Sequence, residues 1–259
     1  MRIAVLMTVH NRKQTTVRCL QRLMINDKCK VISDGGLDIF LVDDGSTDGT
    51  SEEVEKIGGG GEWKIHLIRG TGSLYWAKGM RLAWETAVEH RDYDGYLWLN
   101  DDVELAADAL EKLATTLQLQ LETPTIIVGE CVNAKGEVTY GIKGDLFDGN
   151  FVYVPRSVYE KIGMISGEYA HAWADSDYAM RAKRAGVKVV SLGVVGKCEG
   201  HEIRPSLRGV GFRRRCRMLT DPKGWNVHDL WVYRRRNWGV AAAVVSCAHL
   251  ICHVLIGER

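Results

Sequence analysis

Short apolar runs alternate along the first half of the chain with longer stretches in which apolar residues recur every three or four positions. Residues 3–7, 37–42, 65–68, 96–99 and 125–128 are the short runs and read as strands. Between them Val17, Leu20, Leu23 and Met24 fall at helical spacing, as do Met80, Ala83, Trp84 and Ala87, and then Leu110, Leu113, Ala114 and Leu117. A further short helix is predicted over residues 51–57. Strands that are apolar almost throughout are buried on both faces. Their alternation with helices therefore implies an α/β fold with a mainly parallel central sheet and helices on both faces. The second half is less regular: a strand at 151–154, a short helix at 157–162, a helix at 177–185 ended by Gly186, and a strand at 187–192. No internal repeat is visible, and Gly58, Gly59, Gly60 and Gly61 read as a flexible connection.

In parallel sheets ligands bind beyond the carboxyl ends of the strands. The residues at those ends are polar and often acidic. They are Thr8 to Arg12 after the first strand, Asp43 to Gly49 after the second, Arg69 to Gly72 after the third, and Asn100, Asp101 and Asp102 after the fourth. These four loops are predicted to converge on one edge of the sheet.

Composition narrows the class. A chain of 259 residues with 46% hydrophobic and 26% charged residues is long enough to bury a substantial core. The net charge of +1 carries no signal for nucleic acid. Charge is concentrated, however: between Arg204 and Arg236 lie nine Arg and one Lys against two Asp. That stretch suits phosphates or an anionic membrane surface, or is a solvated basic face. The seven cysteines are scattered without a CxxC pair, which fits buried thiols in a reducing compartment. The first apolar run is too short for a signal peptide. Residues 239–256 are mostly apolar, interrupted by His249 and His253, and follow Arg234, Arg235, Arg236, Asn237 and Trp238. They read as a helix lying on a membrane surface, with a buried C-terminal helix as the other reading.

The chemistry sits in the loops. Adjacent carboxylates at a strand end repel unless a cation or donor is present, so Asn100, Asp101 and Asp102 suit Mg²⁺ or Mn²⁺ shared with a diphosphate, or a turn and helix cap. Asp43 and Asp44 could accept from a base or ribose hydroxyl, although Ser46, Thr47 and Asp48 also look like a capped turn. Asp175 precedes a helix and could cap it, or act as a general base toward an acceptor hydroxyl. Asp177 and Arg181, four apart, are expected to pair on the helix surface. Trp173 could stack on a sugar face or pack in the core. His201 could meet a metal or diphosphate, or be structural.

Together these segments resemble family 2 glycosyltransferases of the GT-A (nucleotide-diphospho-sugar transferase) fold, in particular bacterial rhamnosyltransferase-like members acting in cell-surface polysaccharide assembly. The resemblance spans roughly residues 1–240. It rests on residues 5–12 (VLMTVHNR), 41–50 (LVDDGSTDGT), 97–103 (LWLNDDV), 149–156 (GNFVYVPR) and 175–186 (DSDYAMRAKRAG), in that order.

The resemblance implies an inverting, metal-dependent transfer from a nucleoside-diphosphate sugar to a saccharide or lipid-linked acceptor. Thr8, His10 and Arg12 would lie along the nucleotide, with Asp43 at the base or ribose and Asp44 beside it. Gly72, Ser73, Trp76 and Lys78 match the loop beside the nucleotide and donor sugar. Asn100 takes the first place of the family's DxD motif and Asp102 the last, the ligand of Mn²⁺ or Mg²⁺. Asp101 lies between them among the donor contacts without a role of its own. His201 matches a downstream His that completes the metal or diphosphate site. Asp175 matches the base of the family's "ED" motif, whose Glu is replaced here by Ala174. Trp173, Gly149 and Asn150 fall on the acceptor side.

The implied organisation is a catalytic domain over residues 1–203, with a nucleotide-sugar half to about 103 and an acceptor half from about 104. A basic extension over 204–259 follows, placing a cytoplasmic enzyme at the cytoplasmic face of the inner membrane. Two alternatives stand beside this reading. One is a catalytically silent nucleotide-sugar-binding protein, kept open by Ala174. The other is a sugar-1-phosphate nucleotidylyltransferase, which should carry a Gly-rich phosphate loop near the first strand. A Rossmann dehydrogenase would need GxGxxG where Thr8 to Arg12 stands.

Overall fold

The computed structural model describes residues 1–26, 36–58, 64–119, 123–199 and 206–257. The first half runs β1 (Ile3–Val9), α1 (Lys13–Asn26), β2 (Leu37–Asp43), α2 (Thr50–Gly58), β3 (Lys64–Arg69), α3 (Tyr75–His90) and β4 (Gly95–Leu99). It continues with β5 (Glu104–Leu105), α4 (Ala109–Gln118), β6 (Thr125–Val132) and the short strands β7 (Val138–Tyr140), β8 (Ile142–Lys143) and β9 (Leu146–Phe147). The remainder is β10 (Phe151–Pro155), α5 (Arg156–Ile162), α6 (Ala174–Arg184), β11 (Lys188–Lys197), α7 (Phe212–Met218) and α8 (Val227–Ile256).

The main sheet has the order β3-β2-β1-β4-β10-β6-β11-β5, with β7 beside β6. The first four strands are parallel, and β10 enters antiparallel between β4 and β6. Strand parity divides the core. Ile3, Val5, Met7, Ile39, Leu41, Leu97 and Leu99 share one cluster with Leu20 and Leu23 of α1 and Leu110 and Leu113 of α4. Ala4, Leu6, Phe40, Val42, Tyr96 and Trp98 share the other with Ala77, Met80, Ala83, Trp84 and Ala87 of α3. The predicted α/β sheet with helices on both faces is thus the fold that forms. The last strand is longer than its apolar run suggests, with register shifts at Ser191/Gly193 and Val194/Gly196.

The C-terminal region joins this core before it leaves it. Val232 and Tyr233 of α8 pack in the α3-side cluster. Buried Asp229 accepts from the backbone N–H groups of Ala170 and His171, pinning the loop before α6. At Gly239 (φ 87°, ψ 176°) α8 kinks, a backbone shape that glycine adopts without a Cβ clash. Beyond the kink Ala243, Cys247, Leu250 and Val254 pack with Leu207 and Met218 in a separate small cluster. Residues on both sides of the kink, from Leu207 to Val254, thus build a cluster of their own, separate from the two that flank the sheet. By length and composition α8 is apolar enough to cross a membrane.

Candidate functional site

The four strand-end loops meet as predicted, and hydrogen bonds join them directly. Asp44 N–H donates to Val9 O at 2.9 Å, and Gly70 N–H donates to Asp43 O at 2.7 Å. Asn11, at φ 52°, turns the first loop so that its N–H donates to Ser46 Oγ (2.8 Å) and its Oδ1 accepts from Thr47 N–H (2.7 Å). His10 Nδ1 lies 2.7 Å from Asp44 O. Thr8 meets α3 at Gly79, where a Cβ would come within 2.2 Å of its hydroxyl. Lys78 is exposed in the first turn of α3.

Asp43 and Asp44 are both buried and diverge in what they hold. Asp43 accepts from Ser46 N–H at 2.8 Å and from the Ser51 hydroxyl, itself reached by Arg69 Nη1 at 2.6 Å. Asp44 gathers three backbone donors from the next loop: Gly72 at 2.7 Å, Leu74 at 2.8 Å and Tyr75 at 2.9 Å. Charge-assisted bonds of this kind are the stronger class. Asp44 therefore fixes the 70–75 turn, in which Gly72 (φ 83°) and Tyr75 (φ 57°) are left-handed. Asp43 fixes its own turn and the start of α2. This accounts for two adjacent acids at a strand end without any ligand, and it leaves either carboxylate only its remaining lone pairs for one.

At the end of β4 the charges are paired across the sheet edge. Arg12 Nη1 donates to Asp102 Oδ2 at 2.8 Å and lies 3.1 Å from Asp101 Oδ1. Asp101 also accepts from Thr16 Oγ1 at 3.2 Å. Burial pushes the Asp101 carboxyl up to about 6, and Asp102 adds to the rise against the pull of Arg12 and Thr16. Burial opposes the charge of Arg12, but the two acids outweigh it and hold its pKa above the ordinary value. Beneath Asp102 the Cys131 thiol is pushed up to about 12 by burial, and the Cys198 thiol is raised further for the same reason. Both are neutral thiols, not competing anions. Asn100 turns the other way: its Oδ1 accepts from Trp76 Nε1 at 2.7 Å, and its N–H donates to Asn150 O at 3.0 Å.

That last bond leads into the second half of the chain. Asp175 lies in the first turn of α6, not before the helix. The position ahead of the helix is taken by Trp173 at φ 70°. Asp175 accepts from Ser176 N–H at 2.7 Å and Gly149 N–H at 3.2 Å. Burial raises its carboxyl to about 6, with Asp148 adding to the rise and the backbone donors opposing it. Gly149 has no room for a side chain, because a Cβ there would lie 2.5 Å from Trp76 Cζ2. A continuous line of contacts therefore runs from Asp175 through Gly149 and Trp76 to Asn100, and along the chain to Asp102 and Arg12.

Three expectations change in detail. Asp177 is fully buried, and its pair with Arg181 (3.2 Å) is joined by Arg236 of α8 (3.4 Å), so this is an interior contact and not a surface one. One face of Trp173 is covered by Tyr233, stacked at 4.6 Å, leaving at most the other face for a sugar. The Asn150 side chain is buried with its Nδ2 3.9 Å from Cys198 Sγ, so Asn150 reaches the site through its backbone. His201 lies outside the described residues. The Arg12 pairing and the Asp44 clamp were not visible in the sequence, since their partners stand 28 to 90 residues away.

Residues 4–178 match the sequence profile described as Glycosyl transferase family 2. No curated protein matches. Among solved structures, the mannosyltransferase PcManGT from Pyrobaculum calidifontis, in complex with GDP-Man and Mn²⁺, aligns with a TM-score of 0.56 at 18% identity, covering 100% of this chain and 76% of that one. The S. aureus TarS fragment 1–349 aligns at 0.63 and 14% identity over 99% of this chain and 71% of that one. Glucosyl-3-phosphoglycerate synthase from Mycobacterium tuberculosis, in complex with UDP, aligns at 0.53 and 15% identity over 79% and 73%. At these identities the structural likenesses establish the fold.

Proposed function

The chain belongs to glycosyl transferase family 2, and from that premise we propose that it moves a sugar from a nucleoside-diphosphate sugar to an acceptor hydroxyl with inversion at the anomeric carbon. The observation that carries this reading is the line of contacts from Asp175 to Arg12. It links a carboxylate suited to proton removal to a cationic end suited to a diphosphate. Two of the structural neighbours are complexes with GDP-Man and with UDP, which supports the same class of donor.

Asp175, ionised above about pH 6, takes the proton of the acceptor hydroxyl as its oxygen attacks the anomeric carbon. The bond from that carbon to the diphosphate breaks, and the leaving diphosphate keeps the electron pair. Arg12 sits beside Asp102 with its guanidinium partly exposed and available to the departing oxygens. The site also fits a hard divalent ion: Asp102 offers a carboxylate oxygen, and the thiols beneath it are neutral. Bound there, Mg²⁺ or Mn²⁺ would supply charge neutralisation of the leaving diphosphate, with His201 as a further ligand. Thr8, His10 and the 70–75 turn held by Asp44 would flank the nucleotide. Asp43, Gly72, Lys78, Asn100 and Asp101 complete the donor side, and Trp173, Gly149 and Asn150 line the acceptor side.

The test is a panel of nucleoside-diphosphate sugars with Mn²⁺ or Mg²⁺, reading released nucleoside diphosphate. One donor is expected to be turned over, and EDTA is expected to suppress that turnover. Release from no donor, with or without metal, would leave a silent binding protein as the better reading.

The C-terminal segment supports a peripheral membrane contact. Trp238, Val240, Val244, Val245 and Ile256 are exposed along α8, and exposed Phe212 stands at the start of α7. Arg213, Arg214, Arg217 and Lys223 line a hollow beside them. Exposed apolar and basic groups in one terminal segment suit an anionic bilayer surface. The acceptor would then be a saccharide or lipid-linked chain at the cytoplasmic face of the inner membrane, in cell-surface polysaccharide or glycolipid synthesis. Removing residues 238–259 is expected to shift the protein from the membrane to the soluble fraction. An unchanged distribution would overturn the contact.

A further inference from the structure

At the opposite ends of the strands, Asp38, His66 and His90 bring one carboxylate oxygen and two imidazole nitrogens within 4.8 Å of one another. They come from three elements. Asp38 is the second residue of β2, His66 lies on β3 in register with Phe40, and His90 is the last residue of α3. Asp38 and Phe40 are two apart on a strand and so share a face, which is the face His66 presents to α3. The His66 ring stacks on Phe40 at 4.5 Å and lies 4.4 Å from the His90 ring.

Two features make this cluster more than packing. His66 Nε2 is buried and has no hydrogen-bond partner among the described residues, an uncommon state for a buried polar atom. The Asp38 carboxylate is oriented from behind: Tyr93 Oη donates to its Oδ2 at 2.6 Å, and Arg91 Nε lies 3.5 Å from the same oxygen. Outer-shell bonds of this kind orient metal-ligating side chains.

We propose that Asp38, His66 and His90 form a binding site for a borderline divalent transition ion such as Zn²⁺, separate from the donor-site cation. Two imidazoles and one carboxylate suit Zn²⁺, Co²⁺ or Ni²⁺ better than Mg²⁺, which prefers an all-oxygen shell. Asp43 lies five residue steps along β2 from Asp38, about 16 Å at ~3.3 Å per residue, so an ion here would not touch the diphosphate. The site joins edge strand β3 to β2 and to the end of α3. Its ion is therefore a structural clamp on the sheet edge, and the neighbouring charges of Arg91 and Lys64 temper its affinity. This inference stands independently of the transferase reading.

The test uses the full chain, stripped with chelator and titrated with Zn²⁺ by calorimetry, with thermal unfolding in parallel. One ion per chain and a rise in Tm are expected, and Co²⁺ should give visible absorption bands of a nitrogen–oxygen site. His90→Gln, at an exposed position, and His66→Gln should each weaken binding about tenfold or more and remove the Tm rise. Asp102→Asn should leave both intact. Absence of Zn²⁺ binding, binding unchanged in both histidine variants, or binding lost only in Asp102→Asn would each overturn the proposal.

Discussion

Asp175→Asn is expected to lower kcat by about 10²–10⁴-fold while donor affinity stays close to that of the wild type. The amide keeps the shape of the carboxylate and can still accept from Gly149 or Ser176, so the start of α6 should hold. What it loses is the ability to take a proton. The pH profile makes the assignment sharper. A general base works only when ionised, so a carboxyl raised to about 6 gives a rate that climbs with pH up to that value and is flat above it. Asp101 is also raised to about 6 by burial, so the wild-type profile alone does not tell the two apart. The acid limb should vanish from the residual activity of Asp175→Asn and persist in Asp101→Asn. Full turnover in Asp175→Asn would remove this residue from the chemistry.

Gly149→Ala should be nearly as damaging, by a different route. The added methyl would stand 2.5 and 2.6 Å from Trp76 Cζ2 and Cη2, closer than real contacts allow. Either the indole tilts, breaking its 2.7 Å bond to Asn100, or Gly149 withdraws from Asp175. A displacement of about 1 Å at a reacting group costs ~10²-fold in rate, and kcat should fall by about that much. Overpacking also predicts a loss of about 1–3 kcal/mol of stability. The double-mutant cycle is informative. Trp76→Phe lacks both crowding atoms and the donor, so Gly149→Ala should add little once Trp76 is Phe. Additive losses, or wild-type kcat and Tm in Gly149→Ala, would show that the two residues do not share this space.

The architecture was legible because each apolar run ends abruptly in polar residues. Val9, Asp43, Arg69 and Leu99 are the last strand residues, and the loops after them meet on one edge. Asp102 and Asp175 stood out by residue type and motif. The electrostatic partners did not. Asp44 reaches backbone donors on a loop whose side chains say nothing about it, and Arg12 pairs with acids 89 and 90 residues away. Asp177 looked like half of a surface pair until α8 supplied Arg236 from 59 residues on. Asp38, His66 and His90 share no spacing pattern at all, because strand pairing and the end of a helix bring them together. Local sequence encodes period and punctuation, whereas these contacts depend on which elements become neighbours.

The antiparallel entry of β10 has a consequence for how such a protein can diversify. Because β10 runs against β4, its beginning lies beside the end of β4, with Phe151 opposite Leu99 and Asn100 bonded to Asn150. The chain between Val132 and Asp148 turns back along β6 as β7, leaves the main sheet as the small β8–β9 pair, then returns to this fixed point. Insertions or deletions in that excursion can reshape the mouth beside Asp175 without moving the junction of Asn100 and Gly149. Length variation and the geometry around Asn100, Gly149 and Asp175 are thereby assigned to different stretches of chain, and selection can act on one while the other stays constant.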